Sequence, residues 1–125
     1  MSEAAERADA PEPADLHRAM VDDLVKRGLI TSPAIAAAFR AVPRHLFLPE
    51  VPVAQAYSDQ AIPTKHENGR AISSSSQPAI MAIMLEQLAV QPGQRVLEIG
   101  AGTGYNAALL AQLVGPEGAV VALDI

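Results

Sequence analysis

The sequence predicts an α/β fold: N-terminal helices, then one βαβ unit whose two strands leave the sheet incomplete. Two short apolar runs, RVLEI at 95–99 and AVVAL at 119–123, have the length of buried strands. Between them stand a glycine-rich loop and an alanine- and leucine-rich run of helical length, the order of a βαβ unit. Upstream, apolar residues recur at helical spacing in segments bounded by proline and glycine.

Residues 1–13, rich in Ala, Glu and Pro, are expected to form a disordered tail. The first helix should open near Asp15 as N-cap and present Leu16, Met20, Val21, Leu24 and Val25 on one face, with Gly28 stopping it. Ser32-Pro33 pairs an N-cap with proline at the first helical position, and Ile35, Phe39 and Val42 form a stripe that Pro43 ends. Residues 44–70 hold Pro49, Pro52, Pro63 and an Asn68-Gly69 turn signal, so loops and at most short strands are expected. After the serines at 73–76 a helix should run over 77–89, with Ile80, Met81, Met84, Leu85 and Leu88 facing inward. The last third reads as strand 95–99, loop 100–104, helix 105–114 stopped by Gly115, and strand 119–123. The two strands should be parallel neighbours with a right-handed crossover. Two strands leave an open edge and an uncovered face, which implies part of a longer protein or a truncated product.

Composition removes several function classes. The net charge is -5, and the 9 Lys and Arg form no basic face, so no nucleic-acid partner is expected. With 0 cysteines, disulfides and thiolate metal sites are excluded, and no metal ligands are assigned. The N-terminus lacks the apolar core of a secretory signal, and no run approaches the ~18 apolar residues of a membrane span. The chain reads as a soluble, cytoplasmic protein without a membrane partner.

The loop Glu98-Ile99-Gly100-Ala101-Gly102-Thr103-Gly104-Tyr105 follows a strand and opens a helix. Its glycines let a ligand approach the main chain, and the first N–H groups of the helix attract polar or anionic groups. Asp124 stands at the end of the next strand, at the ~20-residue separation from which a carboxylate can accept from both ribose hydroxyls. The ligand should therefore carry a nucleoside. Gly102, Gly104 and Ala107 can be fitted to the dinucleotide pattern G-x-G-x-x-G/A, which would make the chain an NAD(P)-dependent oxidoreductase. The run E-x-G-x-G-x-G over Glu98, Gly100, Gly102 and Gly104 fits without strain and resembles the first motif of class I S-adenosylmethionine-dependent methyltransferases. A carboxylate at Glu98 is awkward beside a pyrophosphate but suits a cofactor bearing an amino group and a sulfonium. A non-catalytic fragment is a third reading.

Upstream motifs narrow the reading. Residues 41–49, AVPRHLFLP, resemble the V-P-R-x-x-F-x-P run of protein-L-isoaspartate O-methyltransferases. Ala56-Tyr57-Ser58-Asp59 is similar to that family's A-Y-x-D, and Met84-Leu85-Glu86-Gln87-Leu88 to its M-L-E-x-L helix end. Pro92-Gly93 and residues 95–100, RVLEIG, continue the likeness, which covers roughly residues 16–125. Two departures stand out. The family has one serine in I-S-x-P, whereas Ser73, Ser74, Ser75, Ser76 and Gln77 separate Ile72 from Pro78 here. The link at 64–69 is also longer, as in an actinobacterial branch that modifies peptides.

The resemblance implies a Rossmann-like class I methyltransferase domain beginning at 76–125, behind a helical and loop cap at 14–75. It implies S-adenosyl-L-methionine as cofactor and an isoaspartyl carboxylate of a protein or peptide as acceptor. Gly100, Gly102 and Gly104 would wrap the methionine part of the cofactor, Glu98 would orient the loop or the cofactor's amino group, and Asp124 would take the ribose. Ser76 would orient the acceptor carboxylate, with Ser73 as the alternate; counting back from Glu86 selects Ser76, counting forward from Ile72 selects Ser73. The serines also suit a polar turn capping the next helix. Tyr105 either touches the cofactor or only packs. Tyr57 and Asp59 suit fixing a loop. His45 and His66 read as surface or structural residues, and His17 as solvated.

Overall fold

The computed structural model describes residues 11–124, so residues 1–10 of the expected tail lie outside the described residues. The first helix, α1 (Pro13–Lys26), begins at Pro13 and not at Asp15. Proline's fixed φ suits the first helical position, and the extended Glu12 before it serves as N-cap without a side-chain bond. Asp15 falls in the first turn and pairs with Arg18 at 3.1 Å. Gly28 (φ 76°) reverses the chain as expected. In α2 (Pro33–Ala41) the Ser32 side chain accepts from Ile35 N–H, and Val42 before Pro43 is extended, ending the helix.

Residues 44–70 hold more order than their prolines suggest. A 3-10 turn, Arg44–Phe47, is followed by a short helix α3 (Val53–Ala56) and an antiparallel hairpin of β1 (Ile62–Glu67) and β2 (Arg70–Ser75). Asn68 (φ 53°) and Gly69 (φ 77°) form its two-residue turn, with both residues in the left-handed conformation that the strand twist prefers. The pairing is irregular around Lys65, which lies opposite Ser73. The short strands were allowed by the sequence reading, whereas the 3-10 turn and α3 were not, and the serines at 73–75 extend β2 before the chain reaches the next helix.

Helix α4 (Pro78–Leu88) matches the expected span, but only part of its apolar set is inside. Met81 and Leu85 are buried together with Ala79 and Ala82, whereas Ile80, Met84 and Leu88 are 46%, 59% and 55% exposed. The helix turns its small residues to the core, and Met84 and Leu88 line a groove instead. Val25 of α1 is likewise exposed, at the rim of its stripe. The core joins Met20, Val21 and Leu24 of α1 to Phe39 of α2, Met81 and Leu85 of α4, and Leu109 and Leu113 of the last helix.

Strands β3 (Arg95–Ile99) and β4 (Ala119–Leu123) pair in parallel, Arg95 opposite Ala119 through Ile99 opposite Leu123, with α5 (Tyr105–Val114) between them. This is the expected βαβ unit, and the mixed α/β fold with a two-stranded sheet agrees with the sequence reading. Leu97, Ile99, Val121 and Leu123 are more than half exposed, so that sheet has one apolar face uncovered. Among the described residues, no helix is long and apolar enough to cross a membrane.

Candidate active site

A groove of about 450 Å³ runs between the end of β2, helix α4, strand β3 and the glycine loop. Ser76, Glu98, Gly100, Gly102 and Tyr105 lie on its wall; Ser73, Gly104 and Asp124 do not.

The loop at 100–104 owes its shape to its glycines. Gly100, Gly102 and Gly104 have φ of 83°, 58° and 92°, a region costly for side chains other than glycine. Gly100 and Ala101 N–H both donate to Leu123 O (2.7 and 3.0 Å), which clips the loop to the end of β4 beside Asp124. Helix α5 then starts without a side-chain cap, so the N–H groups of its first turn are left for another acceptor. A Cβ built at Gly100 or Gly102 meets no atom within 4 Å, so the space over both is open.

Glu98 and Asp124 flank this loop. Glu98 Oε2 accepts from Asn106 Nδ2 at 2.5 Å, while Oε1 is buried with no partner among the described residues. An unpaired buried carboxylate oxygen calls for a donor, and an ammonium-bearing ligand supplies one. Asp124 faces the hairpin: Lys65 Nζ lies 3.3 Å from Oδ2, a contact across chain segments that sequence reading did not foresee. Tyr105 is 1% exposed, wedged between Phe39, Phe47 and Arg44, and its hydroxyl has no partner among the described residues. Burial pushes its hydroxyl well above the usual phenol range.

The serine side of the groove is held by residues from the upstream segments. Asp59 accepts from Ala79 N–H (2.9 Å), from Arg27 (2.9 Å) and from Gln77 Nε2 (3.1 Å), and so caps α4 directly after the serines. Partial burial opposes its charge, but the Ala79, Arg27 and Gln77 bonds outweigh that and hold its carboxyl below the ordinary range. Glu86 fixes the approach to α2, accepting from Ser32 and Thr31 N–H (2.9 and 2.8 Å) just before the helix begins. Its carboxyl is lowered chiefly by the Ser32 bond.

Tyr57 fixes two loops at once. Its hydroxyl lies 2.8 Å from His45 Nδ1 and its ring stacks on His17 at 5.2 Å. His17 donates to Phe39 O at 2.6 Å, so it is a structural histidine and not a solvated one. His66 is exposed on the hairpin. The residue that motif reading passed over is Arg44. It is wholly buried and donates to Ala56 O (2.9 Å) and Ser76 O (3.1 Å). Its position in the V-P-R run was the available signal, but an arginine ordinarily implies a surface.

Residues 15–125 match the family model of protein-L-isoaspartate(D-aspartate) O-methyltransferases. The chain is 45% identical over 104 residues to the protein-L-isoaspartate O-methyltransferase of Methanothermobacter thermautotrophicus, an alignment covering 83% of this chain and 46% of that protein. It is 45% identical to the one of Aeropyrum pernix, covering 84% of this chain and 38% of the relative. It thus spans less than half the length of either. A solved protein-L-isoaspartate O-methyltransferase superposes with a TM-score of 0.75 at 38% identity, covering 86% of this chain and 33% of the other. A Plasmodium falciparum chain solved with S-adenosyl-L-homocysteine shares the fold at a TM-score of 0.73 and 23% identity, covering 86% of this chain and 48% of that one. On the sequence match, the chain belongs to the protein-L-isoaspartate(D-aspartate) O-methyltransferase family.

Proposed function

We propose that this chain forms the cofactor-binding and acceptor-orienting part of an S-adenosylmethionine-dependent protein carboxyl O-methyltransferase whose acceptor is the isoaspartyl carboxylate of a protein or peptide. One observation carries the reading: the open glycine loop, the half-paired Glu98 and Ser76 share one groove. When bound, the cofactor supplies a methyl group activated by its sulfonium.

The chain's residues then hold and align. Gly100 and Gly102 admit the methionine part of the cofactor against the backbone, and Gly104 sets the turn into α5. Glu98 Oε1 accepts from the cofactor's amino group. Asp124 accepts from the ribose hydroxyls, exchanging part of its contact with Lys65. Ser76 donates its hydroxyl proton to one oxygen of the acceptor carboxylate and leaves the other in line with the methyl. Ser73 lies off the groove wall, so Ser76 is preferred over the alternate. An acceptor carboxylate is ionised at pH 7 and needs no general base, so alignment and exclusion of water supply most of the rate.

Calorimetric titration of S-adenosylhomocysteine into the protein and its Asp124→Ala variant tests the cofactor assignment. Saturable binding that the variant weakens at least tenfold is expected. Binding of NAD in place of S-adenosylhomocysteine would overturn the assignment. Methyl ester formation on an isoaspartyl peptide, absent from its aspartyl twin, then tests the acceptor.

A further inference from the structure

Ser76 occupies an unsupported place in the backbone. The hairpin ladder ends at Ser75, which pairs with Ile62, and α4 begins at Pro78 with Gln77 as its N-cap. Ser76 therefore lies in a two-residue link that neither sheet nor helix holds. Its side is exposed to the groove, whereas Ser75 before it is 9% exposed. The bond found on its carbonyl is the one from Arg44 Nη2, at 3.1 Å.

Arg44 is an unusual residue in which to find that role. It is 0% exposed, and no carboxylate lies within ion-pair distance of it among the described residues. Its donors go to Ala56 O, Ser76 O and Met81 Sδ (3.9 Å), and its guanidinium lies 4.9 Å from the centre of the Tyr105 ring. Tyr105 opens the helix directly after the glycine loop. One planar cation thus touches the segment before the hairpin, the serine link, helix α4 and the start of α5. Burial works against its charge, and Asp59 supports that charge only from beyond ion-pair distance; an apolar side chain of that length would fill the space without the desolvation penalty. What an apolar side chain would not do is bond two carbonyls at fixed separation while stacking on a ring.

We infer that Arg44 is the positioning residue that sets Ser76 relative to the glycine loop, and so relative to the methyl group that loop holds. This rests on the reading of Ser76 as the hydroxyl that meets the acceptor carboxylate. Arg44 touches neither substrate nor cofactor. It fixes the distance between them by tying the serine's carbonyl to the ring that begins α5.

The test compares the full-length protein with Arg44→Met, Arg44→Lys, Ser76→Ala and the Arg44→Met/Ser76→Ala double variant, counting active sites by S-adenosylhomocysteine stoichiometry. Arg44→Met should lower kcat per site about 100-fold, the effect of a ~1 Å misplacement, while the S-adenosylhomocysteine Kd and the peptide KM stay within about threefold. Ser76→Ala should add less than about threefold to Arg44→Met, because the serine is already misplaced. Arg44→Lys keeps the charge and one bond and should lose about tenfold; it serves as the test if Arg44→Met does not fold. Amide exchange of residues 73–77 should quicken in both Arg44 variants while α2 is unchanged. A kcat per site within threefold of wild type in the foldable variant, or full additivity with Ser76→Ala, would overturn the inference. No effect of Ser76→Ala in the wild-type background would instead sink the serine reading on which it rests.

Discussion

Replacing Gly102 by alanine separates what the loop's conformation does from what its open space is for. Gly102 sits at φ 58°, where an L-residue costs roughly 1–2 kcal/mol. Nothing stands within 4 Å of the added methyl, so no clash is added to that cost. The folded protein should lose about 1 kcal/mol, a Tm shift of about 4 °C. That strain is present in the free and the bound protein alike, so it cancels from the dissociation constant. If the groove holds the cofactor over Gly102, the methyl intrudes on it, and an intrusion of about 1–3 kcal/mol weakens binding at least fivefold. Gly115 provides the control: its φ is 67° and its Cβ site is also open, but it stands at the far end of α5 and off the groove wall. Gly115→Ala should cost more stability, because its ψ of −171° places it in a region essentially reserved for glycine, and no affinity. Urea denaturation and S-adenosylhomocysteine calorimetry on both variants make the comparison. Equal affinities for the two variants would refute the placement of the cofactor over Gly102, whatever the stabilities show.

Two further expectations concern the frame that carries the site. Gly118→Ala should destabilise by about 3 kcal/mol in urea unfolding, because its Cβ would overlap the Val114 side chain and lie 2.6 Å from Gln94 O. That carbonyl also accepts from Ala119 N–H at 3.1 Å and cannot withdraw; a loss under about 0.5 kcal/mol, the size of a neutral surface change, would show that it can. Asp59 and Glu86 have carboxyls held below their ordinary values by the backbone N–H groups they accept from at the starts of α4 and α2, so they favour the folded state above their unfolded pKa values and cease to as pH falls through the folded ones. Wild-type stability should therefore fall from about pH 5 downward, and Asp59→Asn with Glu86→Gln should be less stable at pH 7 but flatter in acid. An unchanged acid limb in the double variant would contradict these roles.

The elements legible in the sequence were those whose signals are local. Strands 95–99 and 119–123, and the helix between them, are fixed by an apolar run, a glycine loop and a glycine stop within a few residues of one another. The hairpin was read only as a turn at Asn68-Gly69 with at most short strands, because its strands, IPTKHE and RAISSS, carry too few apolar residues for alternation to show. The inward set on α4 was over-read for a different reason. Apolar spacing reports which residues avoid water, and Met84 and Leu88 line the groove and not the helical core. Contacts such as Lys65 with Asp124 join positions far apart in the chain and leave no periodic trace.

The serine run shows where local and distant information meet. Four serines in a row cannot by themselves distinguish a strand end from a helix cap, and only the register counted back from the helix favoured Ser76 over Ser73. In the structure Ser73 lies in β2, whereas the link that holds Ser76 is bonded at both ends by side chains from upstream segments. Asp59 fixes where α4 begins through Ala79 N–H, and Arg44 fixes the carbonyl three residues earlier. Both arrive from the V-P-R and A-Y-x-D runs, which read in sequence as markers of resemblance and act in the structure as the two clamps on the link that carries Ser76. On the role proposed for Ser76, a motif far from the glycine loop would govern the chemistry at it without touching the ligand. It would do so because the backbone between β2 and α4 has no ladder of its own to hold it.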